Sequence, residues 1–179
     1  MTGAGYVYGE ALYSLAREEA LDKRILEELR VLQDSFSKEL DFLRLMDSPN
    51  LSKEERCAVL DNCFRGNVHG YVLNFLKLLV EKGHILWFSQ CVSRFQELYY
   101  EDHQILPVRA TTAVALTAEQ TDRLADKLNG ITGKQVILTN RVDPAVMGGV
   151  CLDYDGKRLN DTVAHRLDEV RTLLANTVL

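Results

Sequence analysis

Hydrophobic residues recur at helical spacing, every three or four positions, through the first hundred residues of the chain. The apolar stripes are Tyr8, Ala11, Leu12 and Leu15; Ile25, Leu29, Leu32, Phe36, Leu40 and Leu43; Val72, Phe75, Leu76 and Leu79; and Ile85, Phe88, Val92, Phe95 and Leu98. The second stripe predicts one long amphipathic helix that ends before Pro49, because the residue preceding a proline disfavours helical backbone. Ser52 and Glu55 have capping-box spacing and open a further helix. The pattern predicts a bundle of five or six helices.

After Pro107 the hydrophobic period changes from helical to two, which is typical of strands. The predicted elements are a strand over 108–116, a helix from the Thr117–Gln120 capping box to Asn129-Gly130, strands at 135–139 and 150–154, a short strand at Arg158-Leu159, and a helix over 163–178. Asp155-Gly156 indicates a two-residue hairpin turn. Helices followed by a separate group of strands favour an α+β protein.

The distribution of charge supports a boundary near Pro107. The chain has 21 Lys+Arg and 26 Asp+Glu, a formal net charge of -5, and residues 105–179 contain equal numbers of acidic and basic residues. The whole net charge therefore belongs to residues 1–104. We predict an N-terminal helix-bundle domain over 1–104 and a small mixed α/β C-terminal domain over 105–179.

Composition argues against several classes of protein. The acidic balance argues against a nucleic-acid binder, whose affinity depends on Lys and Arg contacts with phosphates. No apolar run approaches the roughly 18 residues needed to span a membrane, and the N-terminus lacks the pattern of a signal peptide. We expect a cytoplasmic location and no insertion into the membrane.

Residues that commonly carry chemistry are scattered. The four cysteines form no C-x-x-C pair, and Cys63 and His69, six positions apart on a helix, would point to different faces. Gly148-Gly149 precedes a strand and not a helix, so close packing explains it better than a phosphate loop. We therefore expect no catalytic residue, no cofactor and no metal. The residues alone favour an intracellular helix-binding adaptor, with an RNA-binding helical-bundle factor and a thiol enzyme using Cys63 as open alternatives.

A family resemblance adds to this interpretation. Residues 142–152 (Val-Asp-Pro-Ala-Val-Met-Gly-Gly-Val-Cys-Leu), followed by Thr162-Val163 and Arg166-Leu167, resemble the C-terminal signature of the delta subunit of F-type ATP synthases, the family of the oligomycin-sensitivity-conferring protein. Residues 8–16 resemble the opening helix of that family, residues 74–79 with Gly83 resemble its central helix, and residues 108–117 resemble its linker strand. The similar segments occur in the family's order over nearly the whole chain.

The resemblance implies a non-catalytic stator subunit of the peripheral stalk, present in one copy per complex. It implies an N-terminal six-helix bundle that binds the N-terminal helices of the alpha subunits, and a C-terminal domain that binds the b subunits of the stalk. Such a link would hold the catalytic head still while the rotor turns, so that proton-driven rotation is coupled to ATP synthesis. The implied location is the cytoplasmic face of the plasma membrane, as a peripheral protein.

Two sets of apolar residues are candidate partner-binding sites by this analogy. For the alpha-subunit helix we predict a groove between the first and fifth helices, formed by Tyr8, Ala11, Leu12, Leu15, Phe88, Val92 and Phe95. For the b-subunit stalk we predict the last helix, through Val163, Leu167, Val170 and Leu174.

Overall fold

A computed structural model describes residues 3–48, 51–163 and 165, and over these residues the chain is an α+β protein with seven α-helices and a four-stranded mixed sheet. The predicted fold class is confirmed at this level. The chain divides into two compact units, one through Tyr99 and one from Tyr100 onward. The helices are α1 (Ala4–Glu18), α2 (Asp22–Lys38), α3 (Leu40–Asp47), α4 (Lys53–Phe64), α5 (Gly70–Lys82), α6 (Phe88–Asp102) and α7 (Ala118–Thr132).

Local capping fixes the ends of several helices. At the start of α4, the Ser52 hydroxyl accepts from the Glu55 N–H (3.2 Å) and the Glu55 carboxylate accepts from the Ser52 N–H (2.8 Å), so the predicted capping box is confirmed. Thr117 and Gln120 form a second capping box at the start of α7, also as predicted. α5 ends at Gly83, whose left-handed backbone (φ 71°) is accessible to glycine at little cost.

The predicted long helix from Ile25 to Leu43 is wrong, because the chain breaks at Glu39 into α2 and α3. Glu39 leaves the helical region, with φ −115° and ψ 63°. The break turns α3 back towards the core, where Phe42 stacks on Phe36 at 5.6 Å and Met46 is fully buried. Both helices bury their apolar face in the same core. The hydrophobic spacing in the sequence therefore stays regular across Glu39, although the helix is interrupted there.

One hydrophobic core joins the helices of the first unit. Its buried members come from α1, α2, α3, α4, α5 and α6, together with Ile85 of a short 3₁₀ turn, Ile85–Trp87. α1 approaches α6 closely at Gly9, where a Cβ would overlap the carbonyl oxygen of Cys91. One turn further along, Tyr13 meets Phe95 edge-on with ring centroids 5.2 Å apart. Glycine at position 9 thus sets the distance at which this aromatic pair can form.

The second unit is built on a sheet of four strands in the order β2-β1-β3-β4. The strands are β1 (Ile105–Thr112), β2 (Gln135–Val142), β3 (Gly149–Tyr154) and β4 (Lys157–Thr162). β1 pairs in parallel with β2 and antiparallel with β3, and β3 and β4 form an antiparallel hairpin. Leu124 and Leu128 of α7 pack against a small core that contains Val108 and Ala110. The unit is therefore a helix laid on one face of a sheet.

The boundaries of β1 and α7 differ from the prediction. β1 begins at Ile105, before Pro107, and ends at Thr112 instead of continuing to residue 116. Pro107 is tolerated because the pairing with β3 starts only at Val108, so β1 has a single neighbouring strand at the proline. After β1, the Thr112 hydroxyl donates to the carbonyl of Val114 (2.7 Å) and closes a turn. α7 continues past Gly130 to Thr132.

The turns around β3 follow the sequence prediction. Asp155 and Gly156 join β3 and β4 with positive φ angles of 47° and 69°, as a two-residue hairpin requires. Gly149 has φ 83°, and a Cβ there would overlap the carbonyl oxygen of Asp161. Close packing, not a phosphate loop, therefore accounts for this glycine.

The predicted last helix falls mostly outside the described residues. Within the described part of the chain, no helix combines the length and the apolar character that a membrane crossing requires.

Candidate docking groove

An open groove of about 290 Å³ lies between α1 and α5. Each helix contributes four residues at the spacing i, i+3, i+4, i+7, which places them along one face of the helix. The lining residues are Tyr8, Ala11, Leu12 and Leu15 from α1, and Tyr71, Asn74, Phe75 and Leu78 from α5. None of the eight is charged, so the groove offers an apolar face of two helices to the solvent.

The floor and the rims of the groove differ in exposure. Leu12 and Phe75 form the floor and are buried, whereas Leu15 and Leu78 are exposed at the rims by 37% and 39%. A third helix laid between the rims would remove both leucine side chains from water. Fully burying an exposed leucine contributes about 1.5–3 kcal/mol, and little more than a third of each side chain is still exposed, so completing the burial would contribute about 0.5–1 kcal/mol per residue.

The helix caps hold the α5 wall in place. The N–H of Tyr71 donates to Nδ1 of His69 (3.3 Å), and the N–H of His69 donates to the Glu28 carboxylate of α2 (2.6 Å). At the other wall, the Tyr8 ring lies 6.0 Å from the ring of His84, which stacks on Trp87 at 4.1 Å. The groove therefore lies between elements that are fixed by contacts outside it.

The structure brings together only part of the predicted alpha-subunit site. Tyr8, Ala11, Leu12 and Leu15 share the groove, but Phe88, Val92 and Phe95 of α6 lie in the core, with exposures of 2%, 1% and 0%. The regular stripe on α6 is the face that the fold removes from water. These three residues cannot contact a partner while the core stays intact. The helix predicted as the fifth is α6 in the structure, and the groove wall opposite α1 is instead the preceding helix, α5.

The sequence prediction did not assign any of the four α5 residues to the binding site. Its predicted stripe, Val72, Phe75, Leu76 and Leu79, is the face buried in the core, and only Phe75 of this stripe also lines the groove. The other lining residues lie beside that stripe and include Asn74, whose amide interrupts the hydrophobic pattern. The sequence did contain a sign of the groove. α5 is apolar on more than one face, whereas a helix that only packs against a core needs one apolar face.

The predicted b-subunit site is described only at its first residue. Val163 follows β4, is 47% exposed, and its N–H donates to the carbonyl of Gly148 (3.0 Å). Leu167, Val170 and Leu174 lie outside the described residues.

The groups considered for chemistry are not gathered into a site. Cys63 is exposed on α4, whereas Cys91 is buried beneath α1, and this burial raises the pKa of its thiol to about 11. Across the described ranges, no group of three or more His, Cys, Asp and Glu side chains is placed to hold a metal ion.

Comparison with known proteins identifies the family. Residues 5–174 match the family model described as the ATP synthase delta (OSCP) subunit. ATP synthase subunit delta of Clostridium kluyveri is 27% identical over 167 residues, which cover 93% of this chain and 92% of the relative. The corresponding subunit of Synechococcus elongatus is 30% identical over 169 residues, 94% of each chain.

A solved structure has the same fold. A chain of the Toxoplasma gondii mitochondrial ATP synthase hexamer superposes with a TM-score of 0.73 at 20% identity, covering 96% of this chain and 97% of that one. The match spans both compact units. The chain belongs to the ATP synthase delta (OSCP) subunit family, and it is a peripheral stalk subunit of F-type ATP synthase.

Proposed function

We propose that this chain is a non-catalytic link between the catalytic alpha/beta head and the b-subunit stalk of F-type ATP synthase. In this role it keeps the head from turning with the rotor, so that proton-driven rotation is coupled to ATP synthesis. The link must resist torque and needs no bond-making chemistry. The observation that carries the proposal is the uncharged groove between α1 and α5 in a chain of this family.

The proposed occupant of the groove is the N-terminal helix of an alpha subunit. An amphipathic helix fits a groove that is formed by the apolar faces of two helices, because its own apolar stripe then fills the space between them. Leu15 and Leu78 would contact the incoming helix from the two rims, and Asn74 can both donate to and accept from a polar group of that helix. Phe88, Val92 and Phe95 support this groove from the core and do not touch the partner.

The remaining parts of the role divide between the two units. We propose that the six helices α1 to α6 form a single bundle that sits on the catalytic head, and that the domain boundary lies between residues 104 and 105. The C-terminal domain would bind the b subunits, with Val163, Leu167, Val170 and Leu174 as contacts. We further propose one copy per complex, no cofactor, and a peripheral location at the cytoplasmic face of the plasma membrane.

The groove is tested with a synthetic peptide that corresponds to the N-terminal segment of the alpha subunit from the same organism. Binding to the full chain is measured by isothermal titration calorimetry for the wild type, Leu15→Asp and Leu78→Asp. A buried carboxylate in the groove would cost at least about 1.4 kcal/mol, so each variant should lose about tenfold or more in affinity.

Leu45→Asp is the matched control, since Leu45 is 47% exposed on α3 and does not line the groove. Its affinity should stay within about twofold of the wild type, which is under 0.5 kcal/mol. Equal losses in Leu45→Asp and Leu15→Asp, with circular dichroism unchanged in both, would contradict the assignment of the groove.

A further inference from the structure

The sheet of the second unit has one face covered by α7 and one face that carries arginines. Side chains alternate between the faces of a strand, so the burial of Val108 and Ala110 against α7 places Arg109 on the other face. In the described part of the chain, α7 is the α-helix that packs on this sheet. The short 3₁₀ turn Pro144–Val146 also contacts β1 and lies beside Thr111 and the buried Cys151, at one end of the opposite face. We call the opposite surface the arginine face, defined by Arg109, Arg141, Arg158 and Asp153.

Strand register aligns these residues across the sheet. Arg109 of β1 lies opposite Thr139 of β2 and opposite Asp153 of β3, and Asp153 lies opposite Arg158 of β4. The result is one polar row that crosses all four strands. An open depression of about 590 Å³ follows this row and is lined by Arg109, Asp153 and Arg158.

One aspartate, Asp153, interacts with two of the three arginines. Arg158 holds the Asp153 carboxylate with two bonds, Nε to Oδ1 at 2.7 Å and Nη2 to Oδ2 at 3.3 Å. This hydrogen bonding lowers the pKa of Asp153, and the charges of Arg158 and Arg109 lower it further. Among the described residues, no hydrogen bond or ion pair is seen for the exposed guanidinium groups of Arg109 and Arg141. Asp155 and Lys157 also line the depression and offset each other, so the arginine face has excess positive charge, although residues 105–179 as a whole carry none.

The spacing of Arg109 and Arg141 suits a helix. Arg141 lies opposite Thr111, two residues beyond Arg109 on the neighbouring strand. With strands about 4.8 Å apart and two residues spanning about 6.6 Å, the two Cα atoms are about 8 Å apart. Side chains one turn apart on a helix have Cβ atoms about 5–6 Å apart, and a long arginine easily spans the difference.

We propose that the arginine face is a docking surface for an acidic helix of the peripheral stalk. Arg109 and Arg141 pair with carboxylates one helical turn apart, since a guanidinium fork matches a carboxylate in geometry and charge. Arg158 remains paired with Asp153 and lies at the edge of the docking surface. This inference rests on the proposed contact with the b subunits, and adds to it a surface separate from the last helix.

The test measures binding of the full chain to the soluble part of the b subunits from the same complex. Sedimentation velocity or calorimetry is performed on the wild type, Arg109→Glu and Arg141→Glu at several salt concentrations. Each reversal should lower the affinity about tenfold or more and flatten its dependence on salt, because an attraction becomes a repulsion. Arg123→Glu is the matched control, an equal charge reversal at an exposed position of α7, on the opposite side of the sheet.

The outcomes separate this inference from the proposed function. Equal losses in Arg123→Glu and Arg109→Glu would overturn the arginine face, since only net charge would matter. Unchanged binding of Arg109→Glu together with a lower melting temperature would also overturn it, because residues of the chain itself would then cover the face. A wild-type chain that does not bind the b subunits would contradict the proposed stalk contact and this inference together.

Discussion

Replacing Gly9 by alanine should destabilise the helical unit, although alanine is the better helix former. In an open helix interior this exchange gains about 1 kcal/mol from helix propensity. At Gly9 the new Cβ would overlap the carbonyl oxygen of Cys91 and approach Cβ of Arg94 to 3.0 Å. Both neighbours belong to α6, and the oxygen is part of its backbone and cannot rotate away. α1 must therefore move away from α6.

The magnitude follows from two opposing terms. Overpacking in a well-packed contact typically costs about 1–3 kcal/mol, and separation of the helices also weakens the Tyr13–Phe95 ring contact at 5.2 Å. After the gain in propensity, the net loss should be about 1–2 kcal/mol. Each kcal/mol shifts the melting temperature by roughly 4–8 °C in a unit of this size. Scanning calorimetry of the full chain measures the shift.

Gly130→Ala provides the control for this prediction. Gly130 lies in α7, and a Cβ there would meet nothing within 4 Å. The same substitution should therefore stabilise the second unit by about 0.5–1 kcal/mol. If Gly9→Ala raised the melting temperature as Gly130→Ala does, the close approach of α1 and α6 would be refuted. Displacement of α1 should also weaken the proposed binding of the alpha-subunit peptide, because α1 is one wall of the groove.

Further substitutions and one labelling experiment test other parts of the structure. Gly149→Ala should cost about 2 kcal/mol or more in urea denaturation, since its φ of 83° and the overlap with Asp161 both oppose a side chain; a loss below half that value would contradict the close approach. Ser52→Ala removes the capping box of α4 and should cost about 1 kcal/mol by the same assay, whereas no change would mean that the cap does not form. Burial raises the pKa of the Cys91 thiol to about 11, so iodoacetamide at pH 8 should modify exposed Cys63 much faster than Cys91. Mass spectrometry of the peptides distinguishes this result from equal rates, which would contradict the burial of Cys91.

Local patterns predicted local structure well in this chain. The capping boxes at Ser52 and Thr117 and the Asp155-Gly156 hairpin formed as predicted, because each depends on side chains within three residues of one another. The break at Glu39 could not be predicted in this way. The break lies between Phe36 and Phe42, whose rings stack only in the folded chain, and no glycine or proline marks it.

The groove shows why a binding site is harder to predict than a core. The clearest apolar stripe on α6, with Phe88, Val92 and Phe95, marks the face that the fold buries. A docking surface consists of apolar residues that remain after the core is complete, such as Leu15 and Leu78. Identifying them requires knowledge of which helices are neighbours. The arginine face likewise depends on strand register, which brings Arg109 and Arg158 to either side of Asp153.

The central claim, that this chain couples the catalytic head to its stalk, is tested most directly by reconstitution. Membranes that contain the ATP synthase but lack this chain are assayed for ATP synthesis driven by a proton gradient, before and after addition of the purified protein. Our account predicts very low synthesis without the chain, recovery with the wild type, and poor recovery with Leu15→Asp at equal protein concentration. Full ATP synthesis in membranes that lack the chain would contradict the account.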